Sequence, residues 1–264
     1  IPAATLKLFP KPLEMATAFV ALPSVDAALP LFSMAQEAAG QSLTAFEIMC
    51  ELALDMVVKN AHNVRDPFTA RHPWYALIEI SGLKEDGNAE RLMMELLETA
   101  TERELLVDAT LASSLTQQKD FWRLRESYSE AQRPEGDSIK TDVSVPTQKI
   151  PEFIKRADAA VAAINKDARP VPLSHFGDAN VHYNVSQPVG WPKGRFNAEQ
   201  WKPIANAVHA IVLEFGGSIS AEHGIGQMKR DELARIKDPV ALDLMRRIKA
   251  SFDPKGILNP GKVL

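Results

Sequence analysis

Residues 171–186 read VPLSHFGDANVHYNVS, two apolar and β-branched runs separated by the short polar stretch 177–180. The two runs predict strands, and the Gly, Asp, Ala and Asn between them predict a tight turn. A second pair of strands is predicted at residues 5–9 and 15–22. Strands joined by short turns pair antiparallel, so these two stretches together predict a largely antiparallel sheet.

Helices alternate with strands along the rest of the chain. Further strands are predicted at residues 43–49, 74–82, 105–111 and 139–145, and helices at residues 24–39, 89–103, 114–131, 148–165, 197–215 and 239–252. The helices carry apolar residues at helical spacing and recognisable caps, such as Asp238 followed by Pro239. This order predicts an α+β fold, a ferredoxin-like and largely antiparallel sheet with helices packed on one side.

Composition limits the classes of function. The chain has 264 residues, 24% charged side chains and a net charge of −4, which argues against a general binder of nucleic acid or membrane surfaces. Cys50 is the one cysteine, which excludes a disulfide framework within the chain, and we expect it to pack as a small apolar residue. No apolar run reaches the ~18 residues of a membrane span. No glycine-rich phosphate loop indicates a nucleotide site.

His175 and His182 flank the predicted turn and can point to the same side of the hairpin. Neutral imidazoles held in this way are suitable metal ligands. The alternative interpretation is that each histidine is a partly buried polar residue with satisfied hydrogen bonds. The pair by itself does not decide between a metal site and a structural role.

A glycine-rich segment at residues 216–226, GGSISAEHGIG, places Glu222 and His223 between glycines that let the backbone come close to a ligand. Glu222 could complete a His-His-Glu site that leaves coordination positions open for a substrate. Neighbouring side chains of an extended segment point in opposite directions, so His223 points the same way as Glu222 only if the loop turns. The alternative is a helix-to-loop junction with solvated polar side chains.

Trp122, Arg125 and Ser129 are spaced three and four residues apart on the helix predicted at residues 114–131, so they share a face. Lys140 begins the next predicted strand. Arginine binds carboxylates through two hydrogen bonds and lysine offers a point charge, which together suit an anionic substrate. The alternative is a solvated charged face, which is the usual role of such residues.

Three segments resemble a known family. SHFGDANVHYNV (174–185), GGSISAEHGIG (216–226) and FDPKGILNPGKVL (252–264) are similar to the C-terminal part of FAD-linked oxidases of the vanillyl-alcohol oxidase type. This group includes D-lactate dehydrogenases, glycolate oxidase subunits and D-2-hydroxyglutarate dehydrogenases. The run IKTDVSVP, with Arg125 and Ser129 upstream, is most similar to the last of these branches, and the resemblance covers essentially the whole chain.

The resemblance implies a metal centre with a base beside it. His175 and His182 match the two histidine ligands of the family and Glu222 matches its acidic ligand, which implies bound Zn²⁺ or Mn²⁺. His223 matches the residue proposed as general base. Ala179 stands in the turn where the family usually has glycine, and alanine adopts a positive φ only at a cost.

The resemblance also implies how a substrate is held. Arg125, Ser129 and Lys140 match the residues that bind the carboxylates of the substrate, with serine in place of the usual threonine. Asn184 matches the asparagine that hydrogen-bonds the substrate. Asn259, in the tail of the chain, matches a residue that approaches the flavin.

The family binds FAD in an N-terminal domain that is absent from this chain, so the resemblance implies two parts here. Residues 1–215 form the substrate-binding cap domain, and residues 216–264 form a helical C-terminal segment with a tail close to the flavin. Residues 5–12, TLKLFPKP, resemble the junction that follows the flavin domain. The chain is then expected to be about the C-terminal half of a flavoprotein.

The resemblance implies oxidation of a D-2-hydroxy acid, D-2-hydroxyglutarate above all, to the 2-oxo acid by hydride transfer to FAD. The alternatives are oxidation of D-lactate or glycolate by the same mechanism, a non-catalytic metal- or carboxylate-binding module, and a zinc hydrolase. We expect a small 2-hydroxy acid and an unidentified electron acceptor as partners, no nucleic acid and no membrane span, and leave a homodimer open. A single cysteine suits the cytoplasm, with peripheral attachment to the inner membrane as the alternative.

Overall fold

The computed structural model describes residues 3–264, whose contacts divide the chain into two compact units. The first unit ends at Ile219, and the second runs from Ser220 to Leu264. The first unit is built on a sheet with the strands β1 (Glu14–Leu22), β2 (Leu43–Cys50), β3 (Trp74–Gly82), β4 (Asp108–Leu111), β5 (Ser138–Ser144), β6 (Arg169–His175) and β7 (Asn180–Ser186). All neighbouring strands pair antiparallel, which confirms the predicted antiparallel sheet.

Local sequence explains where several helices begin. The helices of the first unit are α1 (Ala28–Ala39), α2 (Glu51–Asn60), α3 (Asn88–Glu102), α4 (Leu115–Glu126), α5 (Tyr128–Ala131), α6 (Ile150–Ile164) and α7 (Arg195–Glu214), and those of the second are α8 (Arg230–Ile236) and α9 (Pro239–Phe252). Ser114 caps α4 by accepting a hydrogen bond from the backbone of Gln117, and Asp238 caps α9 in the same way. From residue 3 to residue 264, none of the helices combines the length and apolar character that a membrane crossing requires.

The strand order β4-β1-β3-β2-β6-β7-β5 contains the same motif twice, once in each half of the sheet. The first half is a βαββαβ motif with the ferredoxin-like strand order β4-β1-β3-β2, formed by β1, α1, β2, β3, α3 and β4. The second half repeats this motif without its last strand and is formed by β5, α6, β6, β7 and α7. An isolated bridge between Ser144 and Ser218 lies at the edge where that last strand would pair. β2 and β6 join the two halves of the sheet through three residue pairs, one of which is Glu47 with His175.

Side chains of successive strand residues point to opposite faces of the sheet. The helices α1, α3, α6 and α7 pack on one face, over a core that includes Val20, Ile78, Phe153, Val181 and Val208. The helices α2, α4 and α5 pack on part of the other face, over a core that includes Phe19, Met49, Leu54, Tyr75 and Phe121. Helix α2 and the packing of helices on this second face are additions to the predicted arrangement, whereas α4 and α5 lie within the helix predicted at residues 114–131. Beyond them, the same face of β5 and β7 carries polar side chains.

The predicted strand at residues 5–9 is wrong. Residues 3–12 lie outside the helices and strands, and Leu6, Leu8 and Phe9 are largely exposed. β1 pairs with β3 along its whole length, and its other edge pairs with β4 at Ala18–Ala21 and accepts hydrogen bonds from Ala112 and Gln118 before that, so the run has no hairpin partner in β1. An apolar run becomes a strand only where a neighbouring backbone satisfies its hydrogen bonds.

Gly217 lies where the chain passes close to β5. A Cβ atom at this position would stand 2.1 Å from the backbone oxygen of Ser144, which is held in the bridge with Ser218. We expect Gly217→Ala to lower the free energy of unfolding by about 1–3 kcal/mol, the usual cost of overpacking. Urea unfolding is the measurement. Gly177→Ala is the matched control, since its Cβ would meet nothing within 4 Å, and equal stability of Gly217→Ala and the wild type would contradict the prediction.

Candidate active site

A polar patch occupies the face of β5 and β7 that points away from helices α6 and α7. Strand alternation places Lys140 and Asp142 of β5 and His182 and Asn184 of β7 on this face, whereas the residues between them are buried on the other. The register pairs Lys140 with Asn184 and Asp142 with His182. Directly paired side chains have Cβ atoms ~4.5–5.5 Å apart, so the four residues form one continuous patch.

His175 ends β6 and lies close to His182 across the hairpin. Their ring centroids are 5.2 Å apart and the ring planes meet at 81°. The turn between them is tight because Phe176–Asp178 form a single 3-10 turn and Ala179 adopts φ 64°, in the left-handed region. A left-handed alanine costs about 1 kcal/mol. The hairpin forms in spite of this cost and brings the two predicted ligands together.

Glu47 of β2 is a further member of the site, beyond the residues predicted from the sequence. Its carboxylate accepts hydrogen bonds from His175 Nδ1 at 2.7 Å and from Arg125 Nε at 3.0 Å, and it forms an ion pair with Arg125 Nη2 at 2.9 Å. The hydrogen bond to Glu47 raises the pKa of His175 above its usual value, against the opposing effects of burial and of Arg125. A charged residue inside the apolar run LTAFEIM is the sequence signal that could have indicated it.

Asp142 is a second carboxylate beyond the predicted residues. Its side chain is almost wholly buried, and its Oδ1 lies 3.9 Å from Nδ1 of His182. Each histidine of the pair is therefore matched by a carboxylate directly across the strand, Glu47 for His175 and Asp142 for His182. Carboxylates in this position commonly orient histidines that bind metal ions.

The predicted substrate-binding residues take different positions. Arg125 of α4 is mostly buried at the edge of the polar patch. Lys140 is exposed on β5, and Asn184 is buried on β7, where its Nδ2 donates to the hydroxyl of Tyr128 at 3.3 Å. Ser129 is exposed on the short helix α5, next in the chain to Tyr128. The first unit thus gathers Arg125, Lys140 and Asn184 on the histidine face and leaves Ser129 at the surface of its helix.

A cavity of about 360 Å³ opens beside Glu47 and His175. Thr44 and Asp178 are among the residues that border it, together with the aromatic ring of Phe46. Its volume lies within the usual range for sites that bind small molecules. Of the histidine pair and its carboxylates, Glu47 and His175 border this cavity, so it adjoins the outer side of His175 and lies apart from Arg125, Lys140 and Asn184.

The second unit carries the other predicted residues and is described by itself. Glu222 and His223 are both exposed, and Nε2 of His223 lies 3.5 Å from Oε1 of Glu222. Gly224 and Gly226 adopt φ values of 77° and 56°, so the chain turns directly after His223. This turn is the condition under which Glu222 and His223 can face the same way. Asn259 lies in the exposed tail, in a left-handed conformation with φ 49°.

The chain is similar to known proteins over nearly its whole length. The D-2-hydroxyglutarate dehydrogenase of Stutzerimonas stutzeri (strain A1501) is 34% identical over 260 residues, which are 98% of this chain and 54% of that protein. The mitochondrial D-2-hydroxyglutarate dehydrogenases of Arabidopsis thaliana and Rattus norvegicus are both 33% identical, over 97% and 100% of this chain and 44% and 47% of those proteins. The chain therefore spans about half the length of these relatives.

Solved structures share the fold. A p-cresol methylhydroxylase with bound substrate superposes with a TM-score of 0.63 at 14% identity, over 96% of this chain and 53% of the other. A 4-ethylphenol oxidase from Gulosibacter chungangensis gives a TM-score of 0.63 at 13% identity, over 98% and 55%. The sequence profile of the FAD linked oxidases, C-terminal domain, matches residues 11–263 and confirms the resemblance predicted from the three motifs. This chain belongs to that family, the C-terminal domain of the FAD linked oxidases.

Proposed function

We propose that this chain is the substrate- and metal-binding part of a flavin-dependent dehydrogenase that oxidises a D-2-hydroxy acid, with D-2-hydroxyglutarate as the preferred substrate. The observation that carries the proposal is the histidine pair on one face of the sheet, with Arg125 beside His175. A pair of metal-binding side chains next to a guanidinium suits an acid that can chelate an ion and present a carboxylate. The relatives named as D-2-hydroxyglutarate dehydrogenases support this substrate class.

The side chains of the first unit fit a divalent ion such as Zn²⁺ or Mn²⁺. Two imidazoles with centroids 5.2 Å apart can each direct one nitrogen to a single ion. When bound, such an ion lowers the pKa of a coordinated hydroxyl group. We propose Glu222 as the third ligand. Chain length supports this assignment, because Ser218 is bridged to Ser144 at the end of β5 and four residues of chain reach at most about 14 Å.

The protein's own residues bind, orient and deprotonate the substrate. Arg125 and Lys140 bind the carboxylates, and Asn184 donates an amide hydrogen bond to the substrate. His223 accepts the hydroxyl proton on a ring nitrogen, since a neutral imidazole is an effective base near neutral pH. With both ends of the acid held, its C2–H bond keeps one direction for hydride transfer.

FAD, which we propose is held by a part of the protein outside this chain, would supply the acceptor for the hydride when bound. Asn259 is the residue of this chain that we propose to approach the flavin. Its side chain is exposed, and a left-handed turn presents it at the surface of the tail. An amide fits this role because it can both donate to and accept from the ring.

A substrate panel on the whole protein tests the proposal. Rates are measured with an artificial electron acceptor for D-2-hydroxyglutarate, D-malate, D-lactate and glycolate. We expect the highest kcat/KM for D-2-hydroxyglutarate, because its two carboxylates can engage Arg125 and Lys140 together. A higher kcat/KM for D-lactate or glycolate would overturn the preference for a dicarboxylate. Absence of oxidation of all four acids would overturn the proposed function.

A further inference from the structure

We propose that Glu47 is a positioning residue of this site, which fixes His175 as a metal ligand and holds Arg125 beside it. The inference rests on the proposed function and deepens it, because it names the group that orients two of the proposed binding residues. Glu47 acts through these neighbours and touches neither the metal ion nor the substrate.

Glu47 lies where β2, β6 and α4 meet. The register of β2 with β6 pairs it directly with His175, and Arg125 reaches it from α4. The side chains of Glu47 and Arg125 are only 10% and 11% exposed, whereas that of His175 is 34% exposed. A carboxylate buried to this extent requires charged or hydrogen-bonding partners, and both kinds are present here.

The contact with Glu47 determines which nitrogen of His175 carries the proton. Nδ1 is the ring nitrogen that faces the carboxylate, at 2.7 Å. An ionised carboxylate only accepts hydrogen bonds, so the proton is assigned to Nδ1. Nε2 then keeps its lone pair and is the nitrogen that can bind a metal ion. A carboxylate in this position also fixes the ring orientation and makes the imidazole a stronger ligand.

The same carboxylate holds Arg125. Nε of Arg125 donates to Oε2 of Glu47, and Nη2 forms an ion pair with the same oxygen at 2.9 Å while lying 3.3 Å from Nε2 of His175. Glu47 therefore sets how closely a positive group approaches the proposed metal-binding nitrogen. Because a guanidinium has five donors, Arg125 can keep its contacts with Glu47 and still offer Nη1 to a carboxylate.

His182 provides a comparison within the same site. The distance of 3.9 Å between its Nδ1 and Asp142 is longer than a hydrogen bond. Nδ1 of His182 is therefore too far from Asp142 for a direct hydrogen bond, whereas Nδ1 of His175 lies within hydrogen-bond distance of Glu47. A change at Glu47 is expected to alter the tautomer of His175 and to leave that of His182 unaffected.

Two substitutions in the whole protein, Glu47→Gln and Glu47→Ala, test the proposal. Zn²⁺ affinity is measured by competition with a chelating dye. We expect it to fall about 10-fold in Glu47→Gln, which keeps an acceptor, and about 100-fold in Glu47→Ala. KM for D-2-hydroxyglutarate is expected to rise in both variants, because Arg125 loses its anchor. Glu37→Gln, at an exposed position of α1, is the matched control and keeps the wild-type affinity.

Nitrogen chemical shifts of the histidine rings in the metal-free protein give a readout that is independent of activity. We expect the Nδ1–H tautomer of His175 in the wild type and a mixture of tautomers in Glu47→Ala, or a partial change in Glu47→Gln if the alanine variant does not fold. An unchanged His175 tautomer together with unchanged Zn²⁺ affinity would overturn the role of Glu47. A wild type that oxidises none of the hydroxy acids would overturn the proposed function instead, and the tautomer would still decide the role of Glu47.

Discussion

His182→Ala is expected to bind Zn²⁺ about 100- to 1,000-fold more weakly than the wild type and to lose nearly all activity with it. His182 contributes one of the two imidazoles that lie 5.2 Å apart on the sheet face, and without it the proposed site keeps only His175 and Glu222. A zinc site with roughly four ligands is worth about 10–16 kcal/mol, so each ligand accounts for roughly 3 kcal/mol. Metal content after dialysis and a dye-competition titration are the measurements.

The control for this experiment is His62→Ala. His62 is exposed in the loop that follows α2, well apart in sequence from the β6–β7 hairpin. We expect this variant to keep the metal content and activity of the wild type. If His182→Ala retained a stoichiometric metal ion of wild-type affinity, the proposed ligand set would be wrong. Anomalous scattering from crystals of the wild type would locate the ion independently.

His223→Ala is expected to lower kcat by about 10²–10⁴-fold, the range for loss of a general base. His223 is exposed in the second unit, directly before a turn at Gly224. In the proposed mechanism this imidazole takes the hydroxyl proton, so without it the proton must leave to water. The rate of the variant is therefore expected to rise with pH, since hydroxide becomes available as the acceptor. Steady-state kinetics from pH 6 to about pH 9 measure both effects.

Two comparisons make the result specific to proton transfer. Added imidazole is expected to restore part of the lost rate in His223→Ala, because it can occupy the space of the missing ring. Zn²⁺ affinity is expected to change little, in contrast to His182→Ala. A kcat of His223→Ala close to that of the wild type would remove His223 as the base. A variant whose rate neither rises with pH nor recovers on addition of imidazole would indicate a structural role for His223.

The hairpin of the site could be predicted from the sequence because its determinants are local. Alternating residues in β6 and β7 and a short polar turn are enough to place His175 and His182 on one face. Ala179 shows that this pattern tolerates a turn residue of unfavourable φ, since the strands on both sides fix the register. The order of the predicted strands and helices likewise identifies the ferredoxin-like motif.

A charge within an apolar run sets Glu47 apart in the sequence, but its partners could not be predicted because they depend on a pairing between distant strands. Nothing near Glu47 in the sequence indicates that β2 lies beside β6 and not beside another strand of its own half. The predicted strand at residues 5–9 failed for the related reason that a strand needs a free edge to pair with, and the edges of β1 are taken by β3, by β4 and by the side chain of Gln118. Local pattern thus determines elements, while long-range pairing determines which side chains meet.

The joint between β2 and β6 also bears on the order in which the protein folds. It consists of the pairs Glu47–His175, Ile48–Ser174 and Met49–Leu173. The other ladders close within one half of the sheet, between elements nearer in sequence, and pairings across long loops form late because loop closure costs entropy. We therefore expect each half to order first and the joint to close last. Since Glu47 meets His175 only in this last step, the full affinity for an ion would appear at the end of folding, and refolding followed by metal uptake would time that event.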